Sequence, residues 1–129
     1  MSPLPYRKLL VWQRSQQLAD RVLDLAEAGD LRRQWYFRNQ MCDAAMSVPA
    51  NIAEGNGRST PLDYASFLDR ARGSLFELDT WLYTAAGRAW IPRDIHKELV
   101  TEIEELSAMI LAMATKLRSQ PSLASRTPR

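Results

Sequence analysis

Tyr64, Leu68, Ala71, Leu75, Leu78, Leu82 and Ala85 follow one another at alternating steps of four and three without a break. An α-helix puts such positions on one line, and a seam this long has to be buried against other helices. Three further segments carry the same kind of pattern. Between about 8 and 28, Val11, Leu18, Val22 and Leu25 form a seam that Trp12, Ala19, Leu23 and Ala26 widen. Between about 31 and 54, Phe37, Met41, Ala45, Val48 and Ile52 share a face, and between about 92 and 118 the series Ile95, Leu99, Ile103, Leu106, Ile110, Met113, Leu117 does so. No segment alternates apolar and polar residues with period two over a useful length. With short links between the third helix (about 61–88) and its neighbours, the pattern predicts an all-α fold, an antiparallel up-down-up-down four-helix bundle over residues 1–118, with 119–129 as a disordered tail.

The punctuation between segments fits that plan. Gly29-Asp30 ends the first helix, and Gly55 and Gly57 are expected to stop the second. Thr60-Pro61-Leu62-Asp63 reads as a helix start, with Thr60 as the cap, Pro61 at the first helical position and Asp63 near the positive helix end. Pro49 falls inside the second run, where it removes the hydrogen bond to the Ala45 carbonyl at a cost of about 3 kcal/mol unless compensated, and a kink is expected.

Around that proline lies an unusual run, Ser47-Val48-Pro49-Ala50-Asn51-Ile52-Ala53-Glu54-Gly55-Asn56-Gly57-Arg58. Ser47, Asn51, Glu54 and Arg58 recur at spacings of four, three and four, so on a helix they form one polar stripe, about a quarter turn from the apolar seam. Two readings stand side by side. In the structural one, Asn51 and Ser47 satisfy backbone groups freed by Pro49 while Glu54 pairs with Arg58. In the functional one, Glu54, Arg58 and a flexible Gly55-Asn56-Gly57 turn form an exposed anion- or partner-binding element. A phosphate loop is not among the options, because the Gly-x-x-x-x-Gly-Lys-Ser/Thr motif and its preceding strand are missing.

The third helix has more apolar surface than one bundle hides. Phe67 and Trp81 flank its seam on one side and Phe76 and Tyr83 on the other, while Gly73, Glu77, Thr80 and Thr84 lie opposite, small or neutral apart from Glu77. Either the aromatics cap the ends of the protomer's own core, or copies of the chain associate through them; Trp12, Trp35, Trp81 and Trp90 favour association.

Chemistry-bearing residues are sparse. His96 is the one histidine, so a two-histidine metal centre cannot be assembled within the chain. Cys42 is the one cysteine, which excludes an intrachain disulfide and fits a reducing cytoplasm; beside Met41 on a helix it reads as packing rather than as a nucleophile served by His96. Glu102, Glu104 and Glu105 read as a solvated face. The expectation is therefore no catalytic residue, no metal and no cofactor. Met1 to Tyr6 has no apolar run of the signal-peptide kind and no 18-residue apolar stretch occurs, so a cytoplasmic protein without a membrane partner is expected. A formal charge of +2 is too small to announce a nucleic-acid partner. If RNA binds, the phosphate contacts are expected from the more basic first half, at Arg7, Lys8, Arg14, Arg32, Arg33 and Arg38.

Tyr6-Arg7-Lys8-Leu9, Val11-Trp12-Gln13, the run from Ser47 to Arg58, Phe67-Leu68 and Ala71-Arg72-Gly73-Ser74-Leu75-Phe76-Glu77-Leu78 together resemble the four-helix-bundle family encoded in intervening sequences of bacterial 23S ribosomal RNA genes. The resemblance covers roughly residues 6–118. It implies an up-down bundle that assembles into a ring-like homopentamer, and a similarity to the accessory variability determinant proteins of diversity-generating retroelements, which are basic pentamers that bind nucleic acid and a reverse transcriptase. It also implies family-pattern positions at Asn51, Glu54, Gly55, Arg58, Gly73, Ser74 and Glu77, with Glu54, Arg58 and Glu77 as a charge network within or between subunits. With Ser47, Pro49 and Trp81, these are the expected structural and interface residues. The functional expectation is a non-enzymatic, self-associating adaptor for RNA or protein, or else a protein-only scaffold.

Overall fold

A computed structural model of the protein describes residues 4–120. A short 3-10 turn, Pro5–Lys8, leads into α1 (Leu10–Ala26); a second 3-10 turn, Gly29–Arg33, precedes α2 (Trp35–Asn56), and α3 (Pro61–Gly87) and α4 (Arg93–Arg118) complete the chain. Each helix packs on its neighbours in sequence and α1 returns to α4, most extensively between α2 and α3 and least between α1 and α4. That is an antiparallel up-down-up-down four-helix bundle. The expected tail, beyond Ser119 and Gln120, lies outside the described residues.

The α3 seam is the spine of the core: Leu68, Ala71, Leu75, Leu78, Leu82 and Ala85 are all inaccessible to solvent. Val22 of α1, Met41, Val48 and Ile52 of α2, and Leu99, Leu106 and Ile110 of α4 close around it with equally little exposure. Two residues from the connections plug one end of the bundle, Leu31 from the second 3-10 turn and Ile91 from the α3–α4 link. Leu31 explains why the second helix begins at Trp35 rather than near 31. The chain leaves α1, takes a left-handed step at Gly29 (φ +55°), and winds a tight turn that buries Leu31 while Arg32 and Arg33 stay in water.

Helix ends follow local chemistry. The Asp63 N–H donates to Thr60 Oγ1 at 3.1 Å, and Pro61 sits in the first turn of α3, as its sequence implies. At the other end, the Trp90 N–H donates to the Ala85 carbonyl (2.8 Å) and the Ala89 N–H to that of Ala86 (3.0 Å), a Schellman motif with Ala89 in the left-handed region at φ +60°. Glycine is the usual occupant of that position, so Ala89 carries backbone strain of about 1–2 kcal/mol. The motif turns Trp90 inward, where its ring meets Phe37 edge-on at 5.1 Å.

Candidate interaction site: the α2–α3 clamp and the open flank of α3

The polar stripe of α2 is a clamp onto α3. Asn51 Nδ2 donates to the Ser47 carbonyl (2.8 Å) and to Ser47 Oγ (2.9 Å), and Ser47 Oγ lies 2.8 Å from Ser74 Oγ on α3. Ser47 Oγ thus accepts from the Asn51 amide and shares a second hydrogen bond with Ser74 Oγ across the helix interface, joining the three side chains in one chain. This corrects the expected repair of Pro49: the hydrogen bonds of Asn51 and Ser47 run to one another and to Ser74, not to the Ala45 carbonyl. Helix α2 continues through Pro49, which is buried.

Gly55 is likewise not a stop or a flexible turn. It lies inside α2, buried, and a Cβ added there would sit 2.8 Å from Phe67 Cβ, 3.0 Å from Tyr64 Cδ1 and 3.2 Å from the Tyr64 carbonyl oxygen. Glycine is required because the α2 and α3 backbones approach so closely. Around it, Asn56 Nδ2 reaches the Tyr64 hydroxyl at 3.3 Å, and Arg58 stacks over the Phe67 ring at 4.5 Å while pairing with Glu54 at 3.5 Å. Glu77 is elsewhere: it accepts from Trp81 Nε1 at 3.2 Å, so Glu54, Arg58 and Glu77 do not form one network within the chain.

The two flanks of α3 have different fates. Phe67 is 7% exposed, and Trp81 is half-buried, with Phe37 of α2 edge-on at 5.4 Å. On the other flank, Phe76 is 49% and Tyr83 74% exposed. Gly73, Phe76, Thr80 and Tyr83 step by three, four and three, and all are exposed. They form a second seam on α3 that no element of this protomer covers. A Cβ at Gly73 would meet nothing within 4 Å. Leu111 of α4, 43% exposed, extends this surface across a groove of about 420 Å³ between α3 and α4. Arg72 stacks on Phe76 at 4.9 Å and donates to Ser107 Oγ at 3.0 Å, holding the ring at the groove's edge. Beside Tyr83, at 6.4 Å between rings, His96 keeps its Nε2 buried without a hydrogen-bond partner.

The six basic residues expected to meet phosphate are not gathered on one surface. Arg7 and Lys8 precede α1, whereas Arg32, Arg33 and Arg38 follow it, separated by a helix about 25 Å long. Arg14 faces inward to α4, with hydrogen bonds to Glu102 (Nε to Oε2, 3.0 Å) and Glu105 (3.1 Å). These bonds push its pKa further up, so it is a fixed cation tying α1 to α4. The expected solvated glutamate face is in this respect half an interhelical ion cluster. Arg38 caps α1, donating to the Ala26 carbonyl at 3.4 Å and pairing with Glu27 at 3.7 Å. Arg33 pairs loosely with Asp30 at 3.9 Å and stays exposed, as do Arg32 and Lys8.

Cys42 sits on α2 beside Arg38 and Asp43, in a groove completed by Leu23 of α1 and by Glu27, just past that helix. Burial pushes its thiol pKa up, which disfavours the thiolate a nucleophile needs. His96, on α4, meets Tyr83 instead. Among the described residues no group of three His, Cys, Asp or Glu side chains is placed to hold a metal ion, and no helix is long and apolar enough to cross a membrane.

The clamp, the close glycine approach and the uncovered second seam define a four-helix bundle with one sealed and one open interhelical side. The chain belongs to the 23S rRNA-intervening sequence protein family, whose profile matches residues 7–112. Its fold is similar to the crystal structure of a protein with unknown function from the S23 ribosomal protein family of Bacteroides thetaiotaomicron, at 18% sequence identity and a TM-score of 0.75, covering 81% of this chain and 98% of that one. Among curated proteins none matches.

Proposed function

We propose that the protein is a non-enzymatic, cytoplasmic, self-associating bundle that works as an adaptor, with copies meeting through the second seam of α3. The observation that carries this reading is the line Gly73, Phe76, Thr80, Tyr83: apolar and small residues at helical spacing, in water, where an isolated protomer has use for charge. Residues of this kind are what a second helix packs against at short distance. Covering the half-exposed Phe76 and the largely exposed Tyr83 contributes on the order of 2–5 kcal/mol per protomer. The family resemblance makes a closed homopentamer the expected assembly, and heterologous contacts close into rings of this kind. Light scattering at micromolar concentration tests it: a mass of several protomers supports the reading, and a clean monomer overturns it.

The adaptor's partner is RNA or another protein. The resemblance read from the sequence implies a likeness to the accessory variability determinant proteins, which would favour the nucleic-acid half, and the exposed Lys8, Arg32 and Arg33 supply cations for it. The dispersal of the basic residues and the inward use of Arg14 and Arg38 support the protein-only scaffold. Capture of partners from the native cell with and without nuclease separates the two: a protein retained after nuclease treatment favours the scaffold, and loss of all partners favours the RNA adaptor.

A further inference from the structure

One end of the bundle combines exposed aromatic rings with arginines. Trp35 and Tyr36 open α2 at 65% and 73% exposure, although neighbouring Phe37 turns inward onto Trp81 and Trp90. The segment 31–38 reads Leu-Arg-Arg-Gln-Trp-Tyr-Phe-Arg, so only Gln34 separates the two exposed rings from Arg32 and Arg33. The α3–α4 link lies at the same end of the bundle, where Trp90 meets Phe37. A cleft of about 490 Å³ separates Gly29 and Asp30 from Trp90 and Arg93, and Arg88 stacks on Trp90 at 5.5 Å. Arg32, Arg33, Arg88 and Arg93 are all exposed, with Asp30 and Asp94 as opposing charges.

We propose that this end binds single-stranded nucleic acid, with Trp35 and Tyr36 stacking on bases and Arg32, Arg33, Arg88 and Arg93 meeting phosphates. The inference rests on the nucleic-acid half of the adaptor reading and gives it a place and a ligand class. Exposed rings and guanidinium groups at one end of the bundle fit a strand whose bases are unpaired, since each base offers a π-face and each linkage a negative charge. A duplex hides the faces that Trp35 and Tyr36 would use. A lipid surface fits less well, because the exposed groups are arginine, tryptophan and tyrosine at a blunt helix start rather than the apolar face of a lying helix. As neighbours in an α-helix, the two rings diverge by about 100°, so a strand passing over the start of α2 meets them in turn. The opposing Asp30 and Asp94 make the binding one of low salt.

The test uses the full chain and a fluorescein-labelled twelve-residue oligouridylate at 50 mM salt. Binding is expected, with the slope of log affinity against log salt reduced by about 1.4 in the Arg32→Gln/Arg33→Gln variant. Trp35→Ala/Tyr36→Ala is expected to weaken binding at least tenfold while leaving the melting temperature and the scattering mass unchanged, and Leu62→Ala, exposed at the opposite end of the bundle, to leave the affinity unchanged. No binding by the wild-type chain overturns the inference, as do equal affinity in the Trp35/Tyr36 variant, equal affinity for a duplex of the same length, or sedimentation with phosphatidylserine vesicles in place of the oligouridylate. A Trp35/Tyr36 variant that changes mass also overturns it, since the rings would then lie between copies. The scattering mass of the wild-type chain is read separately, so loss of this site leaves the self-association claim standing or falling on its own result.

Discussion

Phe67 and Tyr83 stand on the same helix, each beside the same apolar seam, yet one is 7% and the other 74% exposed. The difference lies in what faces them. Phe67 meets Gly55, where α2 comes close enough that a single methyl group has no room, and Arg58 covers the outer face of its ring. Tyr83 lies on the side of Gly73, where nothing within 4 Å would stop a Cβ. The two glycines thus do opposite things in the protomer: one is filled space, the other is space kept open. The comparison teaches that an apolar residue beside a seam is covered only where a neighbouring backbone approaches, and that the uncovered side is where a second chain has room.

The sharpest way to break the comparison is Gly55→Ala. The contacts at 2.8 and 3.2 Å involve Phe67 Cβ and a backbone oxygen, neither of which swings away, so the substitution is expected to lower stability by about 1–3 kcal/mol despite the better helix propensity of alanine. Thermal or urea unfolding reads it; an unchanged midpoint would mean that the α2–α3 approach is not tight. Next comes the clamp. Asn51→Leu removes the donor to Ser47 and disturbs the serine pair across the interface, a loss of about 1–2 kcal/mol, and in a double-mutant cycle with Ser74→Ala the two effects should fall short of adding. Full additivity would show that the three side chains do not act as one unit.

A smaller effect of opposite sign is expected beyond the end of α3. Ala89→Gly relieves the left-handed backbone at φ +60° and should raise stability by about 0.5–1 kcal/mol in the same unfolding measurement, after the entropy lost by adding a glycine is subtracted. The smallest concerns Cys42. Because burial raises its thiol pKa, the native state holds the proton more tightly than the unfolded chain. Its contribution to stability is therefore complete below the ordinary thiol range near about 8.5 and is lost as pH rises through the higher folded value. Iodoacetamide at pH 8 should alkylate it more slowly in the folded than in the urea-unfolded protein, and equal rates would show an open thiol.

Much of this architecture was legible in the chain, because helical spacing and capping are local. The α3 seam, the Thr60 cap with Pro61, and the antiparallel order all follow from residues within a few turns of one another. The second 3-10 turn was not legible, since Leu31 looks like the first residue of a helical face until the bundle end it plugs is known. The polar stripe was visible as a stripe, and Glu54 pairs with Arg58 as the spacing implies. Its main purpose was hidden, because Ser74 lies 27 residues away and nothing near Pro49 names it as the partner. Gly55 reads as a stop on sequence alone for the same reason: a glycine near a helix end looks like one, and only the position of Tyr64 and Phe67 shows it to be a contact. Arg14 and Arg38 look like surface cations in the sequence because their partners, Glu102 and the Ala26 carbonyl, belong to other helices. The exposed line of Gly73, Phe76, Thr80 and Tyr83 was present in the sequence as excess apolar flanks, but which flank stays open depends on where α2 lies.

The most direct measurement is the molar mass of the wild-type chain and of the Phe76→Glu/Tyr83→Glu variant, by light scattering at equal micromolar concentration, with helical content checked by circular dichroism. A wild-type mass of several protomers and a variant that is helical but monomeric is the predicted result. Equal masses for the two, whether single or multiple, would contradict the claim that copies meet on the open side of α3.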